Sequence, residues 1–195
     1  MKSDSHEGKT ITYGPVPTRV SWHQFVLAEV GHYPSAPVGD PCNGLITPSP
    51  PCGAVIYTGI ADGNVAVEVQ VHQQEPPPGV PPLEEWEDIA EVTVQAPTGQ
   101  LMVCALMDDG PSLPPVTASG AGAYRVRVHA RGRDIAYDAA LLDEIVEDYL
   151  IQVWPAPSAS EVIHKQTDAC GAGLRRSAAR NAARMAGKSS SPTPD

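Results

Sequence analysis

YRVRVHARGRDIAYDAALLDEIVEDYLIQVWPAP, Tyr124 to Pro157, is the stretch whose pattern decides the fold of this 195-residue chain. Tyr124, Val126, Val128 and Ala130 fall on one side of an extended backbone, and Arg125, Arg127, His129 and Arg131 on the other. Strict alternation predicts a strand with one face buried and one wet. Gly132 ends it, because glycine weakens a strand and allows turn geometry. A second strand is expected over Asp148–Trp154. There Tyr149, Ile151 and Val153 share a face while Leu150 and Trp154 occupy the other, and apolar groups on both sides predict an interior position. Pro155 and Pro157 close it by removing ladder donors.

Working outward, other runs look built to pack against these two. Gly63 to His72 alternates most cleanly, with Val65, Val67, Val69 and Val71 on one side. Thr18 to Val30, Gly53 to Thr58, Glu84 to Ala96 and Leu101 to Met107 also read as strands. Asp62-Gly63 marks a hairpin, and Glu75 to Pro82 is a stiff, extended crossover. The 21 prolines and 17 glycines fall between apolar runs, as an all-β chain with many turns requires. The expected architecture is an all-β antiparallel sandwich of seven or eight strands over residues 18–157. Val65–Val71 and Tyr124–Ala130 would form its two walls. Residues 1–17 are expected to be a mobile N-terminal segment, and 158–195 a basic, largely disordered extension. Within the extension, Leu174 to Ala186 could form a marginal helix with Arg176, Arg180 and Arg184 in one cationic stripe.

Charge is unevenly placed. Residues 1–164 hold 7 Lys and Arg against 21 Asp and Glu, a balance of −14; residues 165–195 hold 6 against 2, a balance of +4, and the two sum to −10. An acidic body argues against direct nucleic-acid binding by the body and suits a basic protein partner. No apolar run is long enough to span a membrane, and MKSDSHEGKT lacks the apolar core of a signal peptide, so a cytoplasmic location is expected. Cys104 reads as a small core hydrophobe. Cys42 and Cys52 flank a proline-rich loop and could pair, although reduced thiols are expected where there is no export signal.

No nucleophile elbow, phosphate loop, dinucleotide fingerprint or zinc motif is present, and the six histidines are dispersed. No catalytic residue, cofactor or metal ligand is therefore assigned. Carboxylates cluster at Glu84, Glu85, Glu87, Asp88 and Glu91, and at Asp143, Glu144, Glu147 and Asp148. Arg131-Gly132-Arg133-Asp134 could hold a carboxylate or phosphate, but a turn whose arginines pair with Asp134, Asp138 or the nearby acidic run is the favoured reading.

The run GAVIYTG, VAVEVQVH, WEDIAEV, YRVRVHARGRD and EDYLIQVWPAP, within Val20 to Asp168, resembles a family of uncharacterised actinobacterial proteins. More distantly, SWHQF at Ser21–Phe25 and the closing hairpin GAYRVRVHARGRDIAYD with VEDYLIQV resemble the competence protein J family, inhibitors of a DNA-entry nuclease. The proline-rich inserts at 34–51 and 75–82 and the C-terminal extension depart from it. That resemblance implies a β-sandwich with a protein-binding role. With the acidic body, it makes a non-enzymatic binding module, a nuclease inhibitor, the leading expectation. The partner-binding candidates are Glu84, Glu85, Glu87, Asp88, Asp143, Glu144, Glu147, Arg131 and Arg133. Two alternatives stand beside it. One is a small-ligand protein or enzyme with a pocket under the proline-rich loops, lined by His23, His129 or Arg131. The other is a regulatory or structural partner recruited through the cationic tail.

Overall fold

A computed structural model describes residues 10–29, 31, 41–77, 79–106 and 113–189. Ten strands and one long helix follow in chain order: β1 Ile11–Ser21, β2 Gln24–Glu29, β3 Ile46–Pro48, β4 Ala54–Tyr57, β5 Asp62–Val71, β6 Asp88–Ala96, β7 Leu101–Cys104, β8 Gly122–Arg131, β9 Asp148–Pro155, β10 Val162–Gln166 and α1 Ala169–Ser189. The strands join in the order β10-β6-β8-β9-β5-β1-β2-β4-β3, with β7 pairing β2. The expected mobility of residues 1–9, the centre of the proline-rich insert at 34–40 and the end of the expected strand at Met107 lie outside the described residues.

The sheet is mixed, which corrects the purely antiparallel expectation. β5 and β9 run parallel, with Val67 opposite Tyr149 and Val71 opposite Val153. The cause is the proline-rich crossover, which carries the chain past β9 and β8 to β6. β6–β8 and β8–β9 then return as antiparallel pairs, so β9 arrives beside β5 in the same direction. The two halves enclose one core. The Gly53 N–H after β3 donates to the Gln95 carbonyl of β6 at 3.3 Å, bringing the far end of the sheet back against β6. The valine row of β5 and the Tyr124–Ala130 row of β8 do not form opposing walls as expected: they flank β9 and, with Ile151, line the same side of the core, which Phe25, Leu27 and Ile56 share.

The other face of β8 is not wet. Arg125, Arg127 and His129 are all buried. Glu91 bridges the strip: one carboxylate oxygen accepts from Arg125 Nε and the other from Arg127 Nε, each at 2.8 Å, and Glu75 brings a second carboxylate to Arg127 at 3.4 Å. Burial alone would raise the Glu91 pKa, but the hydrogen bonds from Arg125 and Arg127 outweigh it and hold it below the usual value. The Arg127 guanidinium stacks over Trp154, 5.0 Å from the ring centroid. The crossover lies over this face, with Gln152 Nε2 donating to the Val80 carbonyl at 3.0 Å.

Residues 11–17 and 162–189 hold more regular structure than composition suggested. Residues 11–17 belong to β1, which pairs along β5 from Ile11 opposite Val71. Val162–Gln166 extends the sheet beside β6. α1 begins at Ala169 and runs to Ser189, well beyond the expected Leu174–Ala186. Its start is held by a buried ion network. Arg133, with no exposed surface, donates to Asp168 at 2.6 Å, Asp88 at 2.9 Å and the Gly44 carbonyl at 2.9 Å. Asp168 is also the helix cap, accepting from the Gly171 N–H at 2.7 Å. Asp134 accepts from the N–H groups of Ala169 and Cys170, both at 2.8 Å. Of the partners expected for the turn's arginines, the acidic run supplies one: Arg131 pairs with Asp148 at 2.9 Å, whereas among the described residues neither Asp134 nor Asp138 pairs with an arginine.

Replacing Asp168 by alanine is expected to cost about 3–5 kcal/mol, because it strands a buried guanidinium and uncaps α1. Chemical denaturation monitored by circular dichroism measures this. A second test concerns pH. Burial lowers the His129 pKa to about 4. Between the ordinary value of about 6.5 and that value, the unfolded chain carries a proton here that the folded chain refuses. Stability therefore falls as pH drops through this window, by up to about 3 kcal/mol for this residue. Burial and the Arg127 charge lower the His72 pKa too, and it acts in the same sense. Asp88 and Glu147, raised by burial, act in the opposite sense. Urea midpoints across pH 4 to 7 should show His129→Gln with a shallower acid decline than the parent, by about 3 kcal/mol at most.

A candidate protein-binding surface

Thr18 to Val30 is not one strand. Ser21 pairs with Gln24, and between them Trp22 and His23 both take positive φ, 57° and 60°. Two such residues make the type I′ turn that matches hairpin twist, a position that ordinarily selects Asn-Gly. A tryptophan and a histidine there are strained, and only surrounding contacts can hold them. Those contacts are present. The His23 N–H donates to the Ala61 carbonyl at 3.0 Å, and its own carbonyl accepts from Thr58 N–H at 2.9 Å. The His23 ring reaches the Gly59 carbonyl through Nδ1 at 3.1 Å and Asp138 through Nε2 at 3.0 Å. Trp22, by contrast, is 79% exposed at the tip.

The loop from Gly132 to Glu147 lies beside this turn. Gly132 adopts φ 85°, and a Cβ there would run into the Val146 carbonyl, so the loop closes on itself only at glycine. Asp138 N–H donates to Gly59, Leu141 N–H donates to Asp62, and the Tyr137 ring lies 5.9 Å from that of His23. The loop thus presents Ile135 at 70%, Tyr137 at 63% and Leu141 at 71% exposure, with Leu142 and Ile145 partly exposed. Exposed carboxylates at Asp134, Asp138, Asp143 and Glu144 lie among them. Large apolar side chains held on a fixed backbone, with polar groups around them, are the anatomy of a protein-docking patch.

The expected partner-binding residues divide sharply. Glu84 and Glu85 are exposed in a short 3-10 turn on the crossover, and Asp143 and Glu144 are exposed on the loop. Arg131 is exposed but engaged, paired with Asp148 and stacked over Trp86 at 5.0 Å. Glu87 is half-buried, accepting from the Gly132 N–H at 2.8 Å. Asp88, Glu147 and Arg133 are interior and cannot meet a partner. Glu147 accepts from the N–H groups of Gly59 and Ile60 at 3.1 and 2.6 Å and from the Tyr149 hydroxyl at 2.7 Å. Trp22, Ile135, Tyr137 and Leu141 were not anticipated. The DIAYDAALL segment carried the visible signal, four large apolar residues in a loop with acidic groups.

Of His23, His129 and Arg131, one lines a cleft, beside Pro81 of the proline-rich crossover. Arg131 lines a cleft of about 250 Å³ with Trp86, Glu68 and Asp148, whereas His129 is buried beneath the crossover and His23 belongs to the turn. Among the described residues, no three His, Cys, Asp or Glu side chains are grouped to hold a metal ion. Cys170 is buried, and burial pushes its thiol up to about 11, with nearby Arg133 opposing and Asp168 and Glu147 adding. Such a thiol is a poor nucleophile at neutral pH.

No family model and no curated protein matches the chain. Among solved structures, ComJ from Bacillus subtilis, described as an inhibitor of the DNA-degrading activity of NucA, is similar with a TM-score of 0.52 and 12% identity, covering 76% of this chain and 99% of that one. A second, described as Crocagin biosynthetic gene J, gives a TM-score of 0.43 and 14% identity over 76% of this chain and 97% of that one. At these identities the likeness to ComJ is one of fold.

Trp22→Asn should raise stability by about 1 kcal/mol, because asparagine tolerates the left-handed backbone better and the lost ring was in water. A higher urea midpoint checks it; a drop of similar size would mean that the ring supports the fold.

Proposed function

We propose that the chain is a non-enzymatic protein-binding module that inhibits a nuclease, acting in the cytoplasm. The observation that carries this reading is the exposure of Trp22 on a braced turn and of Ile135, Tyr137 and Leu141 on the loop beside it, with acidic groups among them. Tryptophan and tyrosine are the residues that most often anchor protein interfaces. Asp138, Asp143 and Glu144 around them favour a partner with a basic surface. A nuclease is such a partner, because the groove that holds nucleic-acid phosphates must be cationic. Acidic side chains seated there would occupy the position of the substrate backbone, and the negative body would raise the association rate by steering. The shared fold with ComJ, an inhibitor of the DNA-degrading activity of NucA, supports the same reading.

Titrating the purified protein against non-specific nucleases of its own organism, with DNA integrity as readout, tests this. Protection is expected near equimolar ratio, and the double variant Trp22→Ala/Tyr137→Ala should weaken it by about thirtyfold or more, the loss of a typical hot spot. Full DNA degradation at excess inhibitor, together with no nuclease co-purifying, would defeat the reading.

A further inference from the structure

The 132–147 loop and the first turns of α1 enclose a cleft between them. Asp134, Tyr137, Ala169, Cys170, Gly173 and Arg176 line about 390 Å³, near the lower end of the range for ligand pockets. Its two walls are tied together. One Asp134 oxygen accepts from the Ala169 N–H and the other from the Cys170 N–H, both at 2.8 Å. The cleft is continuous with the docking patch, because Tyr137 belongs to both.

Two glycines near the start of α1 differ in what demands them. A Cβ at Gly171 would run into Asp88, Arg133 and Asp168, so packing requires that glycine. A Cβ at Gly173 would meet Arg176 Nη2 at 3.8 Å, an ordinary contact, and nothing nearer among the described residues. Packing therefore does not require Gly173, and glycine weakens a helix interior relative to alanine. The lost helix strength leaves the mouth of the cleft open. The same distance places the Arg176 guanidinium over Gly173, at the rim.

The lining carries one cation and one anion. Arg176 forms no ion pair among the described residues, and Asp134 faces it from the loop. An anionic ligand would be drawn by one and repelled by the other, and a cationic ligand likewise, so neither class gains. Cys170 adds no charge, since burial pushes its thiol up to about 11. What remains suits a flat, neutral ring. Tyr137, Ala169 and Gly173 offer apolar surface. A guanidinium stacks on aromatic faces. The Asp134 carboxylate has lone pairs left to accept a further O–H or N–H. Phenol and indole rings join an aromatic face to such a donor, and in proteins they belong to tyrosine and tryptophan.

We infer that this cleft receives a tyrosine or tryptophan side chain of the protein partner, its ring against Arg176 and Tyr137 and its donor on Asp134. The source of the ring rests on the protein-binding reading above. Gly173 and Arg176, which shape the cleft, play no part in that reading, so the two can fail separately.

Titration of the full isotope-labelled chain with N-acetyl-tyrosinamide, followed by amide shifts in nuclear magnetic resonance, tests it. Binding in the millimolar range is expected, as for an isolated side chain, with shifts at Asp134, Tyr137, Ala169, Cys170 and Gly173. N-acetyl-phenylalaninamide, which lacks the donor, should bind about tenfold more weakly. Gly173→Leu, with helix content checked by circular dichroism, should remove binding, and Arg176→Gln should weaken it about threefold. In the nuclease titration, Gly173→Leu should weaken DNA protection by about tenfold. The inference is overturned by no shift at these amides, by equal binding or equal DNA protection with Gly173→Leu, or by tighter binding of the phosphotyrosine analogue. It is also overturned if p-cresol binds and the capped residue does not, which would make the cleft a site for free phenols. Tyrosine bound without any DNA protection supports the cleft and defeats the nuclease reading alone.

Discussion

Arg133 is a permanent cation sealed from water, and most of the architecture is arranged to make that tolerable. A buried guanidinium is costly unless it is paired and its donors are satisfied. Asp88 at the start of β6, Asp168 before α1 and the Gly44 carbonyl before β3 converge on it. Asp88 also accepts from the N–H groups of Thr167 and Asp168, at 2.6 and 3.1 Å. One charge therefore fixes where the sheet edge, the 132–147 loop and the helix meet. Such networks add little net stability compared with apolar packing, and their value lies in permitting few alternatives.

What could be read directly from residue order was whatever depended on alternation. Val65 to Val71 and Tyr124 to Ala130 line the core because period two places every second side chain on one face. What could not be read depended on distant partners. Arg125 and Arg127 alternate as wet-face residues do; only Glu91 on the neighbouring strand makes their burial possible. Trp22 and His23 lack the signature of a tight turn, because their geometry is imposed by Gly59, Ala61 and Asp138. α1 looked marginal because its stability comes from Asp168 and Asp134 at its base, not from its own composition. The acidic run at 84–91 divides by partner: Glu84 and Glu85 stay exposed on a 3-10 turn, while Arg133 takes Asp88 inside and Arg125 and Arg127 take Glu91.

The candidate surface inherits its rigidity from the same region. His23 reaches Asp138, and the loop bearing Asp138 begins at Gly132 and Arg133. Asp134, next in sequence to Arg133, closes the first turn of α1. Turn, loop and helix base are thus neighbours on one frame, although their residues span more than 100 positions. Preorganisation of this kind lowers the entropy lost on association, so a small patch can still be an effective one.

The parallel pairing of β5 with β9 governs how the protein can come into being. Val67 and Tyr149 adjoin at the middle of the sheet, yet they are far apart along the polypeptide. Contacts between such distant residues must meet the entropy of closing a long loop before they return any energy. During synthesis the first five strands leave the ribosome with the inner flank of β5 unpaired. It stays so until the strand that ends at Pro155 has also emerged. For that interval the valine row is an open template for a neighbouring nascent chain, and the molecule depends on its surroundings to keep that edge solitary.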